Sequence, residues 1–142
     1  MKKKLVAYII LLILLLFSAC KHEETYKFLK PIDEISAVSI VEISFSEGGE
    51  IIQTEIQIIN DINAFFNSFT QISCYTYYGD PTGITEEGVT DTVIKISYFS
   101  GEYELINWSG QATYTTDRGF RYYAGYNIFD EDQFDALIAQ YL

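Results

Sequence analysis

The apolar positions of this chain change period along its length, and each change marks an element. Over 35–46 they alternate, with Val41, Ile43 and Phe45 on one face and Glu42, Ser44 and Ser46 on the other, the period of a half-buried strand. A second run at 50–59 sets Ile52, Ile56 and Ile58 against Gln53, Glu55 and Gln57. Glu47-Gly48-Gly49 between the two runs predicts a long hairpin. Ile62, Phe65, Phe66, Phe69 and Ile72 then recur at helical spacing, with Asn60 or Asp61 as N-cap, so an amphipathic helix is expected over 61–73.

Beyond that helix the period returns to two. A short strand is expected at 75–78, followed by a Gly- and Pro-rich loop over 79–88. The runs 90–99, 102–108 and 111–116 are separated by Ser100-Gly101 and Ser109-Gly110, which predicts consecutive tight hairpins and a meander. Asp117-Arg118-Gly119 turns the chain into a further strand at 120–128. Asp130 then caps a second helix, Gln133 takes the reciprocal capping-box position, and Phe129 can staple onto Phe134. Its apolar stripe is Phe134, Leu137, Ile138 and Tyr141. The expected fold is α+β: an antiparallel sheet, built from the N-terminal hairpin and the meander, with two amphipathic helices packed on one face. Small bacterial inhibitor and cystatin-like domains are similar in layout, but no motif ties the chain to either.

The first 30 residues follow other rules. Lys2, Lys3 and Lys4 precede an unbroken apolar run over 5–17, then Ser18, Ala19 and Cys20. A basic start, an apolar core too short to span a bilayer and small residues at its end make a signal peptide. Leu16-Phe17-Ser18-Ala19-Cys20 resembles the lipobox of bacterial lipoproteins, although Phe17 stands where that family usually carries leucine. The resemblance implies a signal peptide at 1–19 and a diacylglycerol on Cys20, which becomes the mature N-terminus. The partner is then the membrane, on its extracytoplasmic side, because two acyl chains anchor stably where one does not. Residues 20–30 are expected as a polar, lipidated tether, leaving 31–142 as a single domain able to fold alone. His22, the sole histidine, falls in that tether as a solvated linker residue.

Charge narrows the partners. The chain carries a formal net charge of −11, and removing the signal lysines makes it more acidic. From residue 31 onward only Lys95, Arg118 and Arg121 oppose 18 carboxylates. Such a surface excludes nucleic acid, which needs clustered Lys and Arg. It serves solubility or a cationic partner. With Cys20 consumed as a thioether, Cys74 has no intramolecular partner and is expected as a buried small hydrophobe.

No constellation for catalysis emerges. A Ser-His or Cys-His pair needs a positioned imidazole, zinc needs several His or Cys ligands, and no phosphate-binding glycine loop occurs. Glu86, Glu87, Asp91, Glu102 and Glu104 include enough carboxylates for a glycosidase-like pair, but an acidic domain supplies such pairs without purpose. Asp130-Glu131-Asp132 lacks calcium-loop spacing and reads as a helix first turn. No cofactor, metal or catalytic residue is therefore expected.

The last expectation is a surface. Treating Ser100-Gly101 as a two-residue turn pairs Tyr98 with Tyr103, Ile96 with Leu105 and Val93 with Trp108. Ile94, Ile96, Tyr98, Tyr103 and Leu105 then face the core, and a diagonal Lys95–Glu104 ion pair faces solvent. Beside that pair stand Val93, Phe99, Ile106 and Trp108, a binding patch with Trp108 as aromatic anchor unless the tether or the 79–88 loop covers it. The function classes left are a membrane-anchored, monomeric binding domain, a protective or inhibitory protein that neutralises a basic extracellular partner, and a small carbohydrate-active domain.

Overall fold

A computed structural model describes residues 24–77, 90–122 and 126–142. The signal-like segment, Cys20, His22 and the loop expected at 79–88 lie outside them. Among the described residues, eight strands and two α-helices follow a one-turn 3-10 helix at Ile32–Glu34, an antiparallel α+β arrangement. In chain order the elements are β1 (Ile35–Phe45), β2 (Ile51–Ile58), α1 (Ile62–Phe69), β3 (Cys74–Tyr77), β4 (Asp91–Tyr98), β5 (Tyr103–Asn107), β6 (Gly110–Thr115), β7 (Gly119–Tyr122), β8 (Tyr126–Phe129) and α2 (Glu131–Ala139). Six strands form one sheet in the order β2-β1-β4-β5-β6-β7. The other two, β3 and β8, pair separately, so the expected single strand at 120–128 is two strands in different sheets.

Both helices are capped as their sequences require. Asp61 accepts a hydrogen bond from Ala64 N at 2.9 Å, and Asp130 accepts one from Gln133 N at 3.0 Å. The Phe129 and Phe134 rings meet at 5.4 Å. The capping box is not reciprocal, however: the Gln133 side chain accepts from Ser73 N at 3.0 Å instead. Asp130 N donates to Ser73 O, so the start of α2 is fastened to the chain entering β3.

Burial explains the sheet. Phe65, Phe66 and Phe69 from α1 and Phe134, Leu137 and Ile138 from α2 share one apolar cluster with Val38, Ile40, Ile94, Ile96 and Ile106. The opposite sheet face is also dry: Val41, Ile43, Val93, Leu105 and Ala112 are buried there beneath Phe45, Ile51, Tyr103 and Phe120. Gln53 on β2 donates through Nε2 to Tyr103 Oη on β5 at 2.9 Å. Those strands are three places apart, about 14 Å in a flat sheet. Curling of the sheet brings them together and lets its own side chains cover its second face.

The segment expected as a tether is integral to the domain from Glu24 onward. Glu24 N donates to Cys74 O at 2.8 Å. Tyr26 is buried, with its ring 5.6 Å from both Phe69 and Phe129, and Phe28 packs edge-on against Phe66 at 5.3 Å. The boundary at residue 31 therefore moves toward the N-terminus. Apolar side chains at 26, 28 and 29 gain more from burial than a solvated chain does.

Candidate functional site

The expected patch does not form, and one residue of register is the reason. The β4–β5 turn is Phe99-Ser100-Gly101, closed by Tyr98 N donating to Glu102 O at 2.9 Å, with Gly101 at φ +84°. Ile94 pairs with Ile106, Lys95 with Leu105 and Ile96 with Glu104. A slip of one residue exchanges the faces of a strand. Ile106 accordingly turns to the helix-side cluster, while Val93 keeps its face and is buried there beneath Phe45, Ile51, Tyr103 and Phe120. Trp108 occupies the β5–β6 turn, half-buried against the helix-side cluster, and its carbonyl accepts from Phe129 N at 2.8 Å. Only Phe99, 77% exposed at the hairpin tip, remains a surface residue in full. The expected Lys95–Glu104 pair is also lost, since the two side chains lie on opposite faces. Lys95 donates to Gln53 Oε1 at 2.8 Å and sits 4.4 Å above the Tyr103 ring, where burial lowers its pKa.

The same slip places Glu104 inside. It is 1% exposed on the helix side of β5, between Ile96 of β4 and Thr113 of β6. Oε1 accepts from Tyr98 Oη at 2.7 Å, and Oε2 accepts from Tyr26 Oη at 3.1 Å and from Leu29 N at 3.2 Å. A carboxylate accepts about four hydrogen bonds, so one direction is left on Oε1. Burial pushes the Glu104 pKa up to about 7, against the pull of its three donors. Burial likewise raises both tyrosine pKa values, with the Glu104 charge adding to the effect.

Beside Glu104 lies a cavity of about 430 Å³, within the range of small-molecule sites. It is lined by Glu104, Gln111 and Thr113 of the main sheet, Thr76 of β3, Asn127 of β8, and Glu24, Tyr26, Lys27, Phe28 and Leu29 of the N-terminal segment. Gln111 is 8% exposed, and its Nε2 is buried without a hydrogen-bond partner. An unpaired buried amide costs about 1–3 kcal/mol, so this wall is less stable than an apolar one would be. The Thr76 hydroxyl donates to the Glu24 carboxylate at the rim.

Neighbouring groups have structural work. Lys30 holds Glu102 at 2.6 Å, and with Ser100 it keeps the Glu102 carboxyl below the usual range. Cys74 is buried at the start of β3, and desolvation raises its thiol to about 12, which suppresses the reactive thiolate. Asp91 begins β4, while Glu86 and Glu87 lie outside the described residues. Among the described residues, no three His, Cys, Asp or Glu side chains gather as a metal ligand set, and no helix is long and apolar enough to cross a membrane.

Of the cavity residues, sequence reasoning named only Glu104, and only as one acid among many. Tyr26, Gln111, Thr113, Thr76 and Asn127 went unnoticed. Tyr26 and Phe28 flanking Lys27 do form a short alternation, the one legible sign that this segment packs. No protein-family profile, curated protein or solved structure matches the chain.

Proposed function

We propose that this protein is a lipid-anchored extracytoplasmic binding domain without catalysis, and that the cavity beside Glu104 is its ligand site. The observation that carries the second half is the polar cavity itself, lined by Glu24, Lys27, Thr76, Glu104, Gln111, Thr113 and Asn127. A chain selected for stability alone would fill such a space with apolar side chains. The curled sheet, its N-terminal hairpin and the two helices on one face serve as the rigid frame, to which β3, β8 and residues 24–29 add the remaining walls.

The anchor rests on the basic start, the apolar run and Ser18-Ala19-Cys20. With Glu24 held on Cys74, four chain steps separate Cys20 from the domain, a reach of at most about 14 Å. The cavity then stands close to the membrane, because Glu24 is both the end of the leash and a residue of the cavity rim. No catalytic role is assigned to Glu104, whose three donors leave it little freedom. The acidic balance supports a second reading, a shield against a basic extracellular protein.

Two measurements test the proposal. Radiolabelled palmitate fed to expressing cells should label the wild-type band and leave Cys20→Ala unlabelled. Ligand-observed NMR with a fragment library on the detergent-solubilised full chain should give hits that disappear in Thr113→Trp, which fills the cavity. Hits that persist in that variant would remove the cavity from the proposal.

A further inference from the structure

We propose that the outer edge of β2 is a docking surface, and that it takes an extended, lysine- or arginine-bearing segment of a partner protein as an added strand. The surface depends on neither the cavity nor the anchor, and it gives the acid excess a place to act. β2 ends the six-stranded sheet, so among the described residues no strand pairs with its outer side. The main-chain N–H and C=O groups of such an edge are a template for another strand. Three of the large apolar side chains left exposed, Ile52, Ile56 and Ile58, lie on this one strand, at 52%, 42% and 51%. Ile56 is the extra residue of a β-bulge: Glu55 pairs with Val41 and Gln57 with Ile40, while Ile56 pairs with nothing on β1.

The carboxylates select the occupant. The register places Glu42 opposite Thr54 and Ile52 opposite Ser44 on the helix-side face, and Glu55 and Ile58 on the other. Each face of the hairpin therefore combines an exposed isoleucine with an exposed carboxylate. Glu47 and Glu50 stand exposed at its turn. None of these four acids is in an ion pair of the described residues, and the chain has no lysine or arginine between Lys30 and Lys95. Lys95, which Glu55 attracts, is engaged by Gln53 Oε1 and the Tyr103 ring. Edge strands are commonly guarded by lysine or proline, and β2 has neither. Its charge guard is negative, and it acts selectively. A second copy would set the same carboxylates against these, and an anionic lipid surface is repelled as well. A basic segment meets complementary charge, while its backbone pairs with the edge and its apolar residues cover the isoleucines.

Fluorescence anisotropy of labelled peptides, titrated with the full chain in a zwitterionic detergent, tests the proposal. The probe repeats Val-Val-Lys-Lys, which puts both residue types on each face of an extended strand. One comparator carries glutamate for lysine, and another keeps the side chains with every amide N-methylated. The lysine probe should bind saturably and more weakly as sodium chloride rises, while the glutamate peptide stays free. N-methylation should weaken binding about tenfold or more, the effect of losing main-chain hydrogen bonds. Glu55→Lys should weaken it about tenfold or more. Glu131→Lys makes the same change of net charge on α2 and should leave it within about twofold. Ile52→Thr should weaken it without altering the salt dependence, and thermal melts confirm that each variant folds. Binding that the two charge variants weaken alike, or that N-methylation leaves intact, is diffuse attraction and overturns the proposal. Absence of binding overturns it too, whether the edge stays open or sedimentation shows a second copy on it.

Discussion

Glu104 shows how a single side chain ties packing to pH. The unfolded chain returns it to an ordinary carboxyl value near 4.5, whereas in the fold burial holds it at about 7. Between those values the native state binds the extra proton, so its stability falls as pH rises. The contribution is fully present below about pH 4.5 and is lost as pH rises through about 7. A shift of this size corresponds to about 3 kcal/mol. Urea titrations between about pH 5 and pH 8 should therefore show a decline in wild type that Glu104→Gln flattens by about that amount. Equal slopes in the two proteins would mean that Glu104 is solvated. Cys74 gives a second test at this scale. With its thiol raised to about 12 and its side chain buried, Ellman's reagent should leave the native protein unmodified near pH 8. In guanidinium it should count one thiol per chain if Cys20 carries lipid, and two if it does not.

At the scale of elements, the strands and helices were legible because each keeps one period, and the errors gather where a turn sets a register. Ser100-Gly101 reads as a two-residue hairpin turn, yet Phe99-Ser100-Gly101 closes the loop with Gly101 in the left-handed region at φ +84°. Three-residue hairpins place their glycine at that last position, so both lengths were open from the sequence. The choice decided whether Glu104 pointed to water or to the cavity, and hence whether a site could be seen. Alternation could not correct it, since β4 and β5 are buried on both faces and carry apolar residues on each. The same ambiguity moved the next turn to Trp108-Ser109, where Asn107 Oδ1 accepts from Ser109 N at 2.8 Å. Gly101→Ala should cost about 1 kcal/mol, because open space surrounds the missing Cβ and only backbone strain opposes it. A loss well beyond that in denaturant titrations would mean that the register itself had slipped.

Charge and chain ends act on the whole molecule together. Against a formal charge of −11, the described residues hold two ion pairs, Lys30–Glu102 and the exposed Arg118–Asp117. Net repulsion therefore outweighs specific pairing, and the melting temperature should rise from low to moderate sodium chloride as screening takes hold. A falling midpoint would reverse that ranking. The N-terminal segment makes the sharper prediction. Its polar composition reads as linker, but it supplies Tyr26, Phe28 and Leu29 to the core, two of the three donors to Glu104, and the Lys30 that holds Glu102. A chain beginning at residue 31 should thus be several kcal/mol less stable than one beginning at residue 24, since deleting one buried aromatic alone costs about 3–5 kcal/mol. It should also lose most of the pH dependence assigned to Glu104, because removing residues 24–29 opens that carboxyl to water and returns its pKa toward the ordinary value. Urea midpoints of the two chains at acidic and slightly basic pH test both consequences. Equal midpoints and equal slopes would make the segment a tether after all, and the cavity it walls would lose its boundary.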